Sequence, residues 1–245
     1  MKIAVTQPNF MPWLGYFELL DQVDIWVSLD NVQLPRRSFV LRNRVRRPDG
    51  AADWISLSVE KCPRETSIAD ARLAKADWDR QIVRRLDSYY RNAPFYGRFA
   101  EPVTELLCTK SRAAGVASFN ERIIHEVASW LGIEYEFHRA SDIEPNLGGS
   151  PQEKILSLVS HFDVDVYCNF ARGIDVGLYD PVAFSERGLQ LQKHAYVHPS
   201  YPQHGGGFVP FLSIVDLLFE TGEGAIEVIR SGRRWEDVPP QRLGT

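Results

Sequence analysis

MKIAVTQPNFMPWLGYFELLDQVDIWVSLDNVQ, residues 1–33, contains a complete strand–turn–helix–strand pattern. The apolar run at residues 3–5 predicts a buried first strand, and residues 25–29 predict a second one. Between them, apolar residues recur at helical spacing: Leu14, Phe17, Leu20 and Val23. About thirty residues is the length of a parallel βαβ unit. The pattern therefore predicts an α/β fold with a mostly parallel sheet and a Rossmann-like open core.

The turn after the first strand is the first candidate binding segment. Pro8 and Pro12 make it rigid, because proline fixes φ and restricts the residue before it. In open α/β folds, ligands usually bind where such turns leave the carboxyl edge of the sheet. The turn also carries large or polar residues that a purely structural turn does not need: Gln7, Asn9, Phe10, Trp13 and Tyr16. The alternative is that the aromatic residues belong to the core and Gln7 only satisfies backbone groups.

Four segments resemble one family in order along the chain: residues 7–45, 89–96 (YYRNAPFY), 119–133 (FNERIIHEVASWLGI) and 201–222 (YPQHGGGFVPFLSIVDLLFETG). They resemble the WbqC-like family, bacterial proteins often encoded among surface-polysaccharide genes. The resemblance implies a role in O-antigen or other glycan assembly, or in natural-product biosynthesis. The reaction it implies is the transfer of glycine or another aminoacyl group to an amino-sugar or a related amine.

The resemblance also selects substrate-binding residues. Arg37 and Arg44 lie in the first motif, and arginine binds carboxylate or phosphate in a bidentate manner. The alternative for this arginine-rich run is a solvated charged face, and Arg46 and Arg47 are expected at the surface. The complete set of expected substrate-binding residues is Asn9, Phe10, Trp13, Tyr16, Asp30, Gln33, Arg37, Arg44, Tyr201 and Gln203.

An acyl transfer needs an activated donor, oxyanion donors and one base. Gln7, Asn43 or backbone N–H groups of residues 205–207 are the candidate oxyanion donors. The candidate bases are His198, His204 and Asp216, the alternative for Asp216 being a structural ion pair or hydrogen bond. The loop at residues 198–207, with its three glycines and two histidines, is expected to close over the site.

Composition restricts the remaining classes. The 245 residues carry a formal net charge of −4, which argues against DNA binding. No apolar run is long enough to span a membrane, and the first residues do not form a signal peptide, so a cytoplasmic location is expected. Cys62, Cys108 and Cys168 lack metal-site spacing and are expected to be reduced, and no metal site is expected. The reactivity of Cys168 stays open.

Further along the chain, residues 38–41 and 54–59 predict a basic hairpin around the turn at residues 48–50. Helices are expected at residues 78–90, 99–107, 118–130, 152–162, 183–189 and 211–219, and strands at 133–137, 164–169 and 189–192. Ser118 and Glu121 have capping-box spacing. The loop at residues 170–178 should face the same side as the first turn. We expect one domain over residues 1–230, a helical insert at about 78–130 and a flexible tail at 231–245.

Three functional hypotheses follow. The first is an acyl or aminoacyl transferase whose acceptor is a nucleotide-sugar or another amine. Its donor would be an aminoacyl thioester on an acyl-carrier protein, an aminoacyl-tRNA or an adenylate. The second is an ATP-dependent amide ligase, since the opening resembles nucleotidyl-transferase folds, although Pro12, Trp13 and Tyr16 stand where those enzymes have histidines. The third is a non-catalytic protein that binds a glycan precursor or a partner. Neither a dinucleotide fingerprint nor a P-loop occurs in the sequence.

Overall fold

A computed structural model describes residues 1–75, 77–108 and 115–240. The strands in this part of the chain are β1 (Lys2–Thr6), β2 (Ile25–Ser28), β3 (Arg42–Arg46), β4 (Ala52–Ser56), β5 (Glu136–Arg139), β6 (Val166–Phe170), β7 (Gln190–His194) and β8 (Trp235–Val238). The helices are α1 (Leu14–Leu20), α2 (Trp78–Tyr90), α3 (Tyr96–Leu107), α4 (Val116–Trp130), α5 (Ala140–Ile143), α6 (Pro151–Val159), α7 (Ala171–Asp175), α8 (Pro181–Ser185), α9 (Ile214–Thr221) and α10 (Ala225–Ser231).

The main sheet has six strands in the order β5-β2-β1-β6-β7-β8. All neighbouring pairs are parallel except β7 and β8. If these strands are counted along the chain, the order is 3-2-1-4-5-6, the order of dinucleotide-binding Rossmann sheets. The chain leaves β1 toward β2 on one side, while β6 pairs on the other side. The sheet therefore has its topological switch point between β1 and β6, and the predicted α/β class is confirmed.

Helices cover both faces of this sheet. Ile3 and Val5 of β1 pack in a cluster with α6 and α8, which includes Leu158 and Phe184. Trp26 of β2 belongs to the opposite cluster, which also contains side chains of α1, α4, α9 and the β3–β4 hairpin. Alternating side chains of a strand point to opposite faces, so both faces of these central strands are buried. We propose that this part of the chain is one domain.

The segment predicted as a helical insert consists of α2, α3 and α4, with no strand of the main sheet between them in the described residues. Other expected helices and strands are present, with ends displaced by a few residues. The expected capping box of α4 is absent, because Gly115 is the N-cap and Ser118 donates to its carbonyl oxygen. Glu121 instead binds Arg139 of β5, a partner distant in sequence.

Two other predictions are corrected. The first hairpin strand is β3, not residues 38–41, because Asn43 and Val45 point inward while Arg42 and Arg44 lie on the other face. Arg46, expected at the surface, is buried, because its guanidinium donates to the carbonyl oxygens of residues 204, 206 and 207. The turn at residues 48–50 is present, and Gly50 has the positive φ that such a turn favours. Within the expected tail, residues 235–238 form β8 and hydrogen-bond to β7. Residues 241–245 lie outside the described residues.

Candidate functional site

A cleft of about 950 Å³ opens at the switch point of the sheet. Its walls come from the segments that follow β1, β6 and β7, together with Ser38 and Phe39 from the segment before β3. The lining residues are Gln7, Asn9, Trp13, Ser38, Phe39, Asn169, Phe170, Ala171, Arg172, Gly173, Asp175, Val176, Leu178, Lys193, His194, Ala195, Tyr196 and Glu236. The loop after β6 thus lies on the same side as the first turn, as the sequence predicts.

Three polar side chains of the cleft are available to a ligand. The amides of Gln7 and Asn9, at the end of β1, make no side-chain hydrogen bond within the described residues. Arg172 of α7 has no carboxylate partner there and is exposed. Amides and guanidinium groups are the donors that fix oxyanions and phosphates. This end of the cleft is therefore suited to a polar or anionic ligand.

Lys193 of β7 lies on the opposite wall of the cleft. Its ammonium group forms ion pairs with Glu236 at 2.8 Å and Asp175 at 3.3 Å. The hydrogen bond to Glu236, followed by that to Asp175, raises the pKa of Lys193. Lys193 is therefore a fixed positive charge paired with both carboxylates that line the cleft, and Glu236 also pairs with Arg234 at 3.0 Å.

Trp13 is the centre of an aromatic wall. Its ring packs edge-on against Tyr196 at 5.5 Å and stacks on His198 at 6.1 Å. Phe211 contacts the same ring at 5.6 Å and is 48% exposed. Aromatic rings in such a position bind the apolar face of a sugar or a planar base.

Phe211 is held in a strained backbone conformation. Its φ is 57°, in the left-handed region. In the described part of the chain, Met11, with a φ of 42°, is the other non-glycine residue with a left-handed φ. Arg44 fixes the segment by donating from Nη2 to the Phe211 carbonyl oxygen (3.1 Å) and to that of Pro210 (3.3 Å), and the Phe211 N–H donates to Nε2 of His198. Such strain costs about 1–3 kcal/mol and concentrates at functional sites.

The first turn is fixed by Asn43. Its Nδ2 donates to the carbonyl oxygens of Met11 (2.7 Å) and Phe10 (3.2 Å), and its Oδ1 accepts from the Arg44 N–H. Asn43 is fully buried. The structure therefore places this expected oxyanion donor behind the turn, with its hydrogen-bonding groups already engaged.

A buried polar cluster lies behind the cleft around Asp216 of α9. Its carboxylate accepts from the hydroxyls of Tyr90 and Tyr201, each at 2.7 Å, and from Nε2 of Gln203 at 2.9 Å. Burial raises the pKa of Asp216 to about 6, although these hydrogen bonds oppose the shift. None of these four residues lines the cleft. Asp216, which belongs to α9, therefore joins the loop at residues 201–203 to α2.

The two expected histidines occupy different places. His204 contacts Glu220 through Nδ1 and the Tyr89 carbonyl oxygen through Nε2, so both ring nitrogens are engaged. His198 contacts the Pro199 carbonyl oxygen through Nδ1 and the Phe211 N–H through Nε2. Burial lowers the pKa of His198. His198 is the expected base that touches the cleft, through its stack on Trp13.

A third histidine, His194, lies in the cleft wall at the end of β7. Its Nε2 hydrogen-bonds to Oε2 of Glu18, and both side chains are fully buried. Nδ1 of His194 has no hydrogen-bond partner among the described residues. Oε1 of Glu18 also accepts from Arg233 at 2.6 Å. A buried imidazole oriented by a carboxylate, with its second nitrogen unpartnered, is the arrangement of a general base.

The substrate-binding residues that remain from the expected set are Phe10, Tyr16, Asp30, Gln33 and Arg37. Phe10 and Tyr16 are fully buried, since Phe10 packs on Phe119 and the Tyr16 hydroxyl contacts Thr6 at 3.0 Å. The structure therefore places them in the core, as the alternative interpretation held. Asp30 is buried and accepts two hydrogen bonds from Ser141, and Gln33 donates to the Arg64 carbonyl oxygen. Arg37 is exposed beside the cleft-lining Ser38 and Phe39.

Sequence reasoning missed Glu18, Lys193 and His194. Lys193 and His194 end β7, so the rule that ligands bind at carboxyl edges would have selected them. Glu18 lies four residues after Leu14, on the apolar face of α1, where a carboxylate is unusual. A carboxylate on an apolar helix face could therefore have been recognised from the sequence as a candidate functional residue.

Cys168 lies within β6 and is fully buried. Burial raises the pKa of its thiol to about 12, so the reactive thiolate is disfavoured. In residues 1–75, 77–108 and 115–240, no three histidine, cysteine or carboxylate side chains are grouped as metal ligands. No helix within these ranges has the length and apolar character needed to cross a bilayer.

Comparison with known proteins identifies the family. Residues 7–228 match the WbqC-like protein family, which is most of the chain. The chain belongs to the WbqC-like protein family. The match includes the first turn, the β3–β4 hairpin, β6, β7 and α9, and so it contains all the elements that form the cleft except Glu236 of β8.

One relative supports the same assignment over nearly the whole length. An uncharacterized protein of Mycobacterium tuberculosis (strain ATCC 25618 / H37Rv), Rv1507c, is 28% identical over 236 residues, which cover 95% of this chain and 99% of the relative. No solved structure matches the chain. The comparisons thus establish the family of this chain.

Proposed function

We propose that this WbqC-like protein is an acyl transferase of the aminoacyl class. It would form an amide on an amino-sugar or a related amine in glycan or natural-product biosynthesis. The observation that carries this proposal is the cleft at the switch point, where unpartnered amides, a free guanidinium and a carboxylate-oriented imidazole come together. Such a convergence of polar groups in a large cleft is typical of an active site.

In this proposal, the acceptor binds through its ring and its anionic group. The sugar ring packs on Trp13, and Arg172 binds a phosphate or carboxylate of the acceptor. Arg37, which is exposed and directly precedes the cleft-lining Ser38, would contribute a second guanidinium. Arg44 has a different role, because its guanidinium supports the segment that presents Phe211.

The chemical step is the attack of the acceptor amine on the acyl carbonyl carbon of the donor. The C–N bond forms, the carbonyl oxygen becomes an oxyanion, and the amides of Gln7 and Asn9 donate to it. His194 Nδ1 removes the proton from the amine nitrogen and returns it to the leaving group as the bond to the donor breaks. Nδ1 is closed to solvent in this structure, so the step requires that Phe170 or Tyr196, which pack on His194 at 5.7 and 5.4 Å, moves to admit the amine.

The test is an amide-forming assay with mass-spectrometric detection. Soluble nucleotide-linked amino-sugars are the acceptors, and aminoacyl thioesters, aminoacyl-tRNA and aminoacyl adenylates are compared as donors, with ATP plus amino acid as a further condition. Product with one donor class supports the transferase and names its donor. Product only with ATP plus amino acid favours the ligase, and acceptor binding without product from any donor favours the non-catalytic alternative.

A matched pair of variants locates the reaction. Arg172→Ala should weaken acceptor binding, whereas Arg84→Ala removes an exposed arginine of α2 outside the cleft and should not. Equal effects of the two substitutions would contradict the placement of the acceptor.

A further inference from the structure

The exposed apolar side chains of this protein are concentrated around the cleft. Among the described residues, eight large apolar side chains are exposed, and Phe39, Val176 and Leu178 of this set line the cleft. Val176 is 65% exposed and Leu178 46%. Contiguous exposed apolar surface marks an interaction site rather than a random surface.

Three of the other five border the same opening. Trp54 packs on Phe39 at 6.1 Å, and Phe211 packs on the cleft-lining Trp13. Phe208 packs on His198, which stacks on Trp13. We call these six side chains, which exclude Met1 and Val197, the apolar border.

Positive charge is interspersed within the apolar border. Arg37, Arg42 and Arg172 have no carboxylate partner among the described residues, and the Arg42 guanidinium lies 4.2 Å from the centre of the Trp54 ring. The carboxylates lining the cleft, Asp175 and Glu236, are both paired with Lys193. The surface around the opening is therefore apolar and locally positive, in a chain whose net charge is −4.

We propose that the apolar border docks on the surface of an anionic lipid bilayer, so that the cleft opens toward the membrane. Phe and Trp side chains partition into the interface between lipid and water, and arginines beside them pair with anionic headgroups. An acceptor linked to a lipid could then enter the cleft directly. The entry of such an acceptor rests on the proposed transferase function, whereas the docking does not.

The layout favours a lipid surface over a protein partner. The cores of protein–protein interfaces are apolar and depleted of charge. Here the middle of the patch is the cleft itself, and the apolar residues come from separate segments with arginines between them. A bilayer accommodates such separate side chains individually, because each inserts among lipids without needing a complementary surface.

The test is flotation of the purified chain with vesicles, without any substrate. Phosphatidylcholine vesicles are compared with vesicles of phosphatidylcholine and phosphatidylglycerol, at low and high salt. We expect binding to the anionic vesicles that weakens with salt. Vesicles with brominated lipids should quench the fluorescence of Trp54, the exposed tryptophan of the described residues, and Trp54→Phe should remove most of that quenching.

Variants separate docking from folding. Val176→Ser with Leu178→Ser, and separately Arg37→Ala with Arg42→Ala, should each lower vesicle binding about tenfold or more. The matched control is Arg80→Ala with Arg84→Ala on α2, which should change it by less than about twofold. Thermal unfolding of each variant confirms that it is folded.

Three results would overturn the docking: no flotation of the wild type at low salt, equal loss in the control, or a dimer in solution that Val176→Ser with Leu178→Ser abolishes. The last would make the border a contact between copies of the chain. The amide-forming assay uses soluble acceptors, so product formation without flotation rejects the docking alone. Flotation without product from any donor leaves the docking in place and rejects the transferase.

Discussion

Glu18 of α1 and His194 of β7 hydrogen-bond to each other with both side chains closed to solvent. They are 176 residues apart in sequence, and the packing of α1 on the sheet brings them together. Glu18 orients the imidazole through Nε2 and leaves Nδ1 without a partner in the described residues. A dyad of this kind handles protons in enzymes and is costly to keep in a core for stability alone.

His194→Gln should lower kcat of amide formation by about a hundredfold or more, with little change in KM, because a general base contributes 10²–10⁴-fold. His161→Gln, at an exposed position after α6, is the control. An unchanged kcat in His194→Gln would remove His194 from the reaction.

Glu18→Ala should destabilise the fold by about 3–5 kcal/mol, because removal of one partner leaves buried charges and donors unpaired. His194 loses its acceptor, and Arg233 loses the one at Nε while it keeps Asp21 at Nη2. Glu18→Gln keeps an acceptor oxygen and should cost less. Urea unfolding measures the difference, and Glu101→Ala on the exposed face of α3 should stay within about 0.5 kcal/mol of the wild type. A Glu18→Ala loss as small as that of the control would show that this pair is not needed for the fold.

Phe211→Gly should be more stable than Phe211→Ala by roughly 0.5–1 kcal/mol, the reverse of the usual order of these residues. Both variants lose the ring, so their difference isolates the backbone strain at φ 57°. Denaturant unfolding of the two proteins gives this number. Greater stability of the alanine variant would mean that the left-handed conformation of residue 211 is not strained.

Asp216→Asn should change the pH dependence of stability. Burial raises the pKa of Asp216 to about 6 in the folded state, against about 3.9 in an unfolded chain. The folded protein therefore binds this proton more tightly, so the contribution of Asp216 is greatest below about pH 4 and decreases until about pH 6. Asparagine does not titrate at this position.

The measurement for Asp216 is unfolding by urea at pH 4, 5, 6 and 7. The variant should gain roughly 2–3 kcal/mol relative to wild type between the ends of this range. Glu220 and His204 lie nearby, and Tyr90 and Tyr201 contact the carboxylate, so His204→Gln serves as a control for a neighbouring titration. A constant difference between Asp216→Asn and wild type would contradict the raised pKa.

Arg172→Ala should weaken binding and leave stability almost unchanged, whereas Arg44→Ala should lower stability. Arg172 has no carboxylate partner among the described residues, so its removal should change stability by less than about 0.5 kcal/mol while weakening anion binding. Arg44 donates two hydrogen bonds to the 210–211 segment, and its loss should cost about 1–2 kcal/mol. Thermal unfolding with and without a nucleotide-sugar measures both effects. A larger stability loss for Arg172→Ala than for Arg44→Ala would reverse the assigned roles.

The sequence alone determined the α/β class, the first βαβ unit and the position of the binding turn. These features depend on local periodicity and on proline, which act over a few residues. Gln7, Asn9 and Trp13 of this turn line the cleft. The loop after β6 was also oriented correctly, because strands of a parallel sheet share a carboxyl edge.

Only the tertiary structure decided which polar side chains stay free. Asn43, His204 and Asp216 have the same donors and acceptors as the residues of the cleft, yet backbone carbonyls and buried partners distant in sequence engage them. The Glu18–His194 pair joins segments 176 residues apart, and β8 likewise depends on pairing with β7, more than forty residues earlier in the chain. Sequence periodicity reports which face of an element is apolar, whereas the partner of a polar group is set by packing.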